Sequence, residues 1–217
     1  MKIKWSFDVE EPKAIYEVPF GVIERPCDGE EEPGLTWFGV KGTNGGFAIC
    51  NSDTYSGSVK DSTIYHTVLR SPIYGDHGGP RSEKSDYTEQ GVREFTYSVV
   101  PFTKNSDVIK VARLINKPVT NIIENWHEGK LNKKVYSSVN VSEENVIISA
   151  IKRSEDGKGL VVRIYETDGK DTDVIISGDL LTSALNIHIT PYSVDTYYLE
   201  DGKCEWKNVL MTEYDFE

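Results

Sequence analysis

Two extended arms separated by a long polar loop limit what this chain can become. The second arm, Val92-Arg93-Glu94-Phe95-Thr96-Tyr97-Ser98-Val99-Val100-Pro101, alternates: Phe95, Tyr97 and Val99 share one face, Glu94, Thr96 and Ser98 the other. A period of two is that of a half-buried strand. The first arm, Ile64-Tyr65-His66-Thr67-Val68-Leu69, is β-branched and aromatic, and Pro72, just beyond Arg70-Ser71, removes a ladder donor and ends it. Between the arms, residues 73–91 are rich in Gly, Asp, Ser and charge, with Gly78-Gly79-Pro80 at the middle. Tight hairpins need only about two to five loop residues, so a loop of this length is expected to be displayed for another surface to use.

The same alternation recurs along the chain. Ile3, Trp5, Phe7 and Val9 interleave with Lys2, Lys4, Ser6 and Asp8, and Gly42-Thr43-Asn44-Gly45-Gly46 reads as a hairpin turn. One helix is predicted near 107–115. Ser106 or Asp107 caps it, Val108, Val111, Ala112 and Ile115 form its apolar stripe, and Asn116-Lys117-Pro118 stops it. Residues 119–126, 135–141 and 145–151 read as extended, and further strands fall near 160–166, 173–177, 184–190, 194–199 and 205–212. That rhythm is the one of a small β-sandwich. The expected fold is therefore all-β and antiparallel with one short helix. A main sandwich over 1–154 is expected to precede a small terminal sandwich over 155–217, the boundary lying at Glu155-Asp156-Gly157-Lys158-Gly159.

Charge narrows the function. With 35 acidic against 24 basic residues the net charge is −11, which repels nucleic-acid phosphates and anionic membranes alike. No apolar run approaches the ~20 residues that span a bilayer, and the alternating amino terminus lacks a signal-peptide core, so a cytoplasmic protein is expected. Cys27, Cys50 and Cys204 have no metal-ligand spacing and read as free thiols of a reducing compartment. His66, His77, His127 and His188 are scattered without paired spacing. Glu30-Glu31-Glu32 has the pattern of a solvated charge run, no serine lies in a GxSxG elbow, and no glycine loop opens a helix. Trp5, Trp37, Trp126 and Trp206 suggest a sugar-stacking platform, although core packing is the plainer expectation for such rings.

Five stretches, in order, carry a resemblance. They are residues 16–33, opening Tyr16-Glu17-Val18-Pro19-Phe20-Gly21; Gly46-Phe47-Ala48-Ile49-Cys50-Asn51-Ser52 with Tyr55 and Val59-Lys60; Leu69-Arg70-Ser71-Pro72; Gln90-Gly91 to Glu94-Phe95-Thr96-Tyr97; and Ile151-Lys152-Arg153-Ser154-Glu155-Asp156-Gly157 to Leu160-Val161-Val162-Arg163-Ile164-Tyr165-Glu166. Together they resemble the carboxy-terminal region of family 38 glycoside hydrolases, the α-mannosidases, and residues 187–199 resemble its closing strands. The resemblance implies a large antiparallel super-β-sandwich of galactose-mutarotase-like kind. It also implies that nucleophile, acid/base and a divalent metal, zinc, belong to an amino-terminal barrel, leaving no catalytic residue, metal ligand or cofactor in this chain. The chain would be inactive alone, with the barrel and a mannose-containing oligosaccharide as its partners. By the same resemblance Arg70, with Tyr74, Asp76 and His77, would lean toward the substrate pocket. An arginine offers five donors in a rigid fork suited to hydroxyl and carboxylate oxygens, although most surface arginines merely pair with a nearby acid. A free-standing carbohydrate-binding module is the alternative function. A mutarotase-like enzyme would need a histidine and a carboxylate facing one cavity, a pairing the sequence does not offer.

Overall fold

The computed structural model describes residues 1–73, 82, 85–130, 135–201 and 203–207. The chain forms two compact units, and they are described separately. The first comprises Met1–Val18, Ile23–Thr103 and Asp107–Pro118, the second Pro19–Val22, Lys104–Ser106 and the chain from Val119 onward.

In the first unit the strands are β1 (Lys2–Ser6), β2 (Lys13–Val18), β3 (Gly21–Arg25), β4 (Glu32–Pro33), β5 (Trp37–Gly42), β6 (Gly45–Asn51), β7 (Ser56–Lys60), β8 (Thr63–Thr67) and β9 (Tyr97–Phe102). They make one sheet in the order β1-β8-β7-β4 and another in the order β3-β2-β5-β6-β9. Tyr16, Phe38, Val40 and Ile49 of the five-stranded sheet meet Val59 and Ile64 of the other in a shared core. Burial of such side chains, about 1.5–3 kcal/mol each, is what holds two sheets face to face.

Helix α1 (Asn105–Asn116) follows, and its covering role explains an oddity of β5. Trp37-Phe38-Gly39-Val40 is buried at every position, the pattern of a strand covered on both faces. Phe38 and Val40 point into the core, whereas Trp37 and its register partner Cys50 lie on the opposite face, where the Cys50 thiol donates to the Val108 carbonyl at 3.8 Å. The Asn116 amide holds the helix end by donating to the Ala112 and Asn51 carbonyls, both at 2.9 Å. The buried stripe is Asn105, Val108, Ile109 and Ala112, rotated from the predicted Val108, Val111, Ala112 and Ile115.

The second unit contains β10 (Asn140–Val141), β11 (Val146–Arg153), β12 (Leu160–Glu166), β13 (Thr172–Ser177), β14 (Leu185–Ile189), β15 (Val194–Glu200) and β16 (Lys203–Lys207). Its sheets run β11-β12-β15-β16 and β10-β13-β14, with antiparallel pairing throughout. Strand β14 shows the rule: Leu185, Ile187 and Ile189 enter the core while Asn186 and His188 face out. The turn at 154–159 closes the hairpin between β11 and β12, with Ser154 N donating to the Gly159 carbonyl at 3.0 Å.

The alternation at 92–96 forms no strand; β9 starts at Tyr97, and its more buried face is Ser98, Val100 and Phe102 rather than Tyr97 and Val99. Residues 119–126 are exposed throughout and form no strand. Among the tryptophans Trp37 is buried, but Trp126 and Trp206 are exposed, so core packing accounts for only part of the set.

Candidate functional site

The predicted rim begins where β8 ends. The ladder with β1 ends at the pair Lys2 and Thr67, the Met1 carbonyl still accepts from Val68 N and Leu69 N at 3.1 and 3.3 Å, and the next residue, Arg70, is exposed. The base of the long loop is nevertheless fastened. Ile73 bridges Tyr87, Thr88 N donates to the Pro72 carbonyl at 2.9 Å, and the Gln90 amide donates to Ser71 Oγ at 3.0 Å. Tyr74, Asp76 and His77 lie outside the described residues, so Arg70 is the one member of the expected quartet with a described position.

Arg70 lines an open groove of about 790 Å³ together with Lys2, Glu31, Thr54, Tyr55 and Thr67. Among the described residues Arg70 makes no hydrogen bond or ion pair, and the Tyr55 ring is exposed beside it. Glu31 is the opposite case. Lys2 Nζ, Ser56 Oγ and Thr67 Oγ1 all donate to its carboxylate, tying β1, β7 and β8 together. Burial pushes this carboxyl up, but the hydrogen bonds, that from Lys2 foremost, more than reverse it and hold it below the usual carboxylate range. Glu31 is thus a fixed anion. No local pattern marks this role, since its partners lie 25 to 36 residues away.

Behind the groove, Thr54 Oγ1 shares a hydrogen bond of 3.0 Å with Nε2 of the buried His66, and Thr54 N donates to Asn51 Oδ1 at 3.0 Å. Burial keeps His66 neutral, pushing its pKa down against a smaller upward pull from Asp53. Phe38 and Tyr97 set their ring edges against it at 5.8 and 6.0 Å, so His66 is a core residue that props the groove floor. His188, by contrast, is exposed and bonded through Nδ1 to Asp173 Oδ1 at 2.8 Å. Among the described residues no three His, Cys, Asp or Glu side chains gather as a metal cluster.

Chemically, the groove presents a cationic fork, a pinned anion, hydroxyls and one aromatic face. Those groups suit hydroxyl-rich ligands. Among the described lining residues Glu31 is the single carboxylate, whereas glycoside cleavage requires two about 5–10 Å apart.

Sheet order and pairing define the class: an antiparallel β-sandwich region. Residues 1–78 match the glycosyl hydrolases family 38 C-terminal domain, and residues 145–194 match the glycosyl hydrolases family 38 C-terminal beta sandwich domain. Alpha-mannosidase 2C1 of Mus musculus is 25% identical over 187 residues, covering 80% of this chain but 17% of that protein. Alpha-mannosidase G of Dictyostelium discoideum is 28% identical over 185 residues, covering 77% and 16%. The crystal structure of an alpha-mannosidase from Enterococcus faecalis V583 superposes with a TM-score of 0.70 at 21% identity, over 89% of this chain and 24% of that one. The chain belongs to glycosyl hydrolase family 38, as part of its carboxy-terminal β region. It spans about a sixth of the curated relatives it matches. No helix among the described residues is long and apolar enough to cross a membrane.

Proposed function

We propose that this chain serves as the carboxy-terminal, non-catalytic region of an α-mannosidase, buttressing the catalytic barrel and completing its substrate pocket. The intact enzyme would hydrolyse terminal α-mannosyl linkages of mannose-containing oligosaccharides, with nucleophile, acid/base and metal all on the barrel. Arg70 carries this proposal: its exposed fork stands at the mouth of a groove whose one described carboxylate is already committed to three donors. Such a groove recognises rather than cleaves. Tyr74, Asp76 and His77, which follow Arg70 in sequence, would share this role in substrate binding. A cytoplasmic setting goes with it, where the thiols of Cys27, Cys50 and Cys204 stay reduced.

The test joins the catalytic portion of the Enterococcus faecalis enzyme directly ahead of this chain and follows an aryl α-mannoside. Loss of one charge-assisted hydrogen bond predicts that Arg70→Ala lowers kcat/KM by about 10- to 100-fold. Unchanged steady-state constants reject the pocket role. Robust turnover by the isolated chain rejects a non-catalytic region, and calorimetric binding of mannose oligosaccharides to it alone favours the carbohydrate-binding module instead.

A further inference from the structure

Residues 119–126, Val119-Thr120-Asn121-Ile122-Ile123-Glu124-Asn125-Trp126, combine two properties that rarely coexist in a solvated linker. Half are large and apolar and only Glu124 is charged, whereas linkers are made of Gly, Ser, Pro and charge. Yet Ile122 is 80%, Ile123 96% and Trp126 90% exposed. The segment belongs to no helix or strand, so its backbone groups are also free of any ladder among the described residues. In an extended chain Val119 and Ile123 point to one side and Ile122 and Trp126 to the other. Apolar residues on both faces mark a strand meant to be covered on both, not one laid on a surface.

We infer that residues 119–126 insert into an apolar cleft of the catalytic portion of a family 38 enzyme and are the docking strap of this region. The inference rests on the function proposed above and names the contact through which it acts. Two observations select this occupant. Four-fifths of this chain correspond to only 17% of the mouse relative, so most of that polypeptide lies outside the match and is available to cover the strap. A second copy is disfavoured because each copy carries a net charge of −11 and would be repelled. Exposed aromatic and branched side chains in contiguous sequence are the usual anchors of such interfaces.

Hydrogen exchange of the isolated chain and of the fusion tests the strap directly. Amides 120–126 should exchange about tenfold or more slowly in the fusion than in the isolated chain. Ile123→Ser should restore fast exchange there while leaving the isolated chain's circular dichroism unchanged, and Trp126→Gln should repeat the result independently. Strap amides that stay fast in a fusion whose turnover still responds to Arg70→Ala overturn the strap and leave the proposed function standing. Slow amides without any response to Arg70→Ala uphold the strap and reject the pocket role. Protection of the strap in the isolated chain, with sedimentation as a dimer, overturns the inference in favour of a second copy. A fusion that neither protects the strap nor turns over counts against both.

Discussion

Glu166→Ala should destabilise the second unit by about 3–4 kcal/mol, among the largest effects a single side chain here can have. Glu166 ends β12 and is fully buried, which for a lone carboxylate would be prohibitive. It is not alone. Asn145 Nδ2 donates to Oε1 at 2.8 Å, Asp168 N to Oε1 at 2.7 Å, Gly169 N to Oε2 at 2.7 Å and Tyr192 N to Oε2 at 3.0 Å. One side chain therefore closes the 167–169 turn, fastens the 190–193 turn and aligns Asn145 ahead of β11. Alanine leaves these donors without their acceptor, and each orphaned buried donor costs about 1–3 kcal/mol before relaxation and water entry reduce the sum. Glu166→Gln keeps the shape but turns one acceptor into a donor facing N–H groups, so it should retain only part of the stability. Hydrogen exchange resolved by segment checks the outcome: β12 to β15 should lose protection while β5 and β6 keep theirs. Equal loss in both units, or none, would show that the network is not what holds the turn region.

Acid should distinguish the units as well. Burial raises the Glu166 carboxyl, but its hydrogen bonds outweigh burial and hold it below 4.5. A depressed carboxylate gives stability that is complete above the unfolded value of about 4.5 and is lost as pH falls through the folded value. His66, kept neutral by burial, gives the first unit stability that is complete above 6.5 and drains below it as the unfolded chain takes up a proton that the fold refuses. Glu17 works the other way, because burial raises it despite hydrogen bonds from Thr36. Its contribution is present at low pH and lost as pH rises, which offsets part of the acid sensitivity of the first unit.

Much of this architecture is legible from local pattern. β12 is delimited at Leu160 and Glu166 because a β-branched and apolar run broken only by Arg163 lies between turn residues, and Gly42-Thr43-Asn44-Gly45 turns the chain as its composition predicts, Gly45 at a φ of 111°. Failures arose where a tertiary neighbour chose between equal local options. Residues 92–96 alternate as well as any strand, but β6 offers register partners only from Tyr97 onward. The helix stripe is rotated because Ile109 rather than Val111 is buried; the two lie roughly 160° apart and flank the shared pair Val108 and Ala112 on opposite sides, so the apolar pattern alone fits either choice. Carboxylate roles were the least readable. Glu31 reads as one member of a charge run and Glu166 as a strand terminus, and what distinguishes each is a set of donors that includes groups the fold brings from distant sequence, Lys2, Ser56 and Thr67 for Glu31 and Asn145 and Tyr192 for Glu166.

Gly57→Ala should cost the first unit about 3 kcal/mol through overpacking, and the same experiment can be made self-correcting. Gly57 on β7 faces Phe38 on β5 across the core, and a Cβ built there would meet Phe38 Cε2 and Cζ at 2.2 Å. Its φ is not among the positive values, so the effect is one of space rather than backbone strain. The Phe38 ring cannot swing aside, because Tyr16 stacks on it at 5.5 Å and 10° and His66 stands edge-on at 5.8 Å. Nor can β7 retreat freely, since the Tyr16 hydroxyl donates to the Gly57 carbonyl at 3.3 Å and neighbouring Ser56 holds Glu31. Phe38→Leu alone should be destabilising through the cavity it leaves, yet it clears the room that the new methyl needs. The double variant should then be more stable than the sum of the single changes predicts, by about 1–2 kcal/mol. Urea denaturation of all four proteins measures that coupling. Strict additivity would mean that the two sheets yield around the methyl instead of jamming against Phe38, and that the glycine is there for some reason other than close approach. Gly57 also sits next to the serine that fixes Glu31, so under that outcome β7 moves outward and the groove's anion loosens before any groove residue is changed.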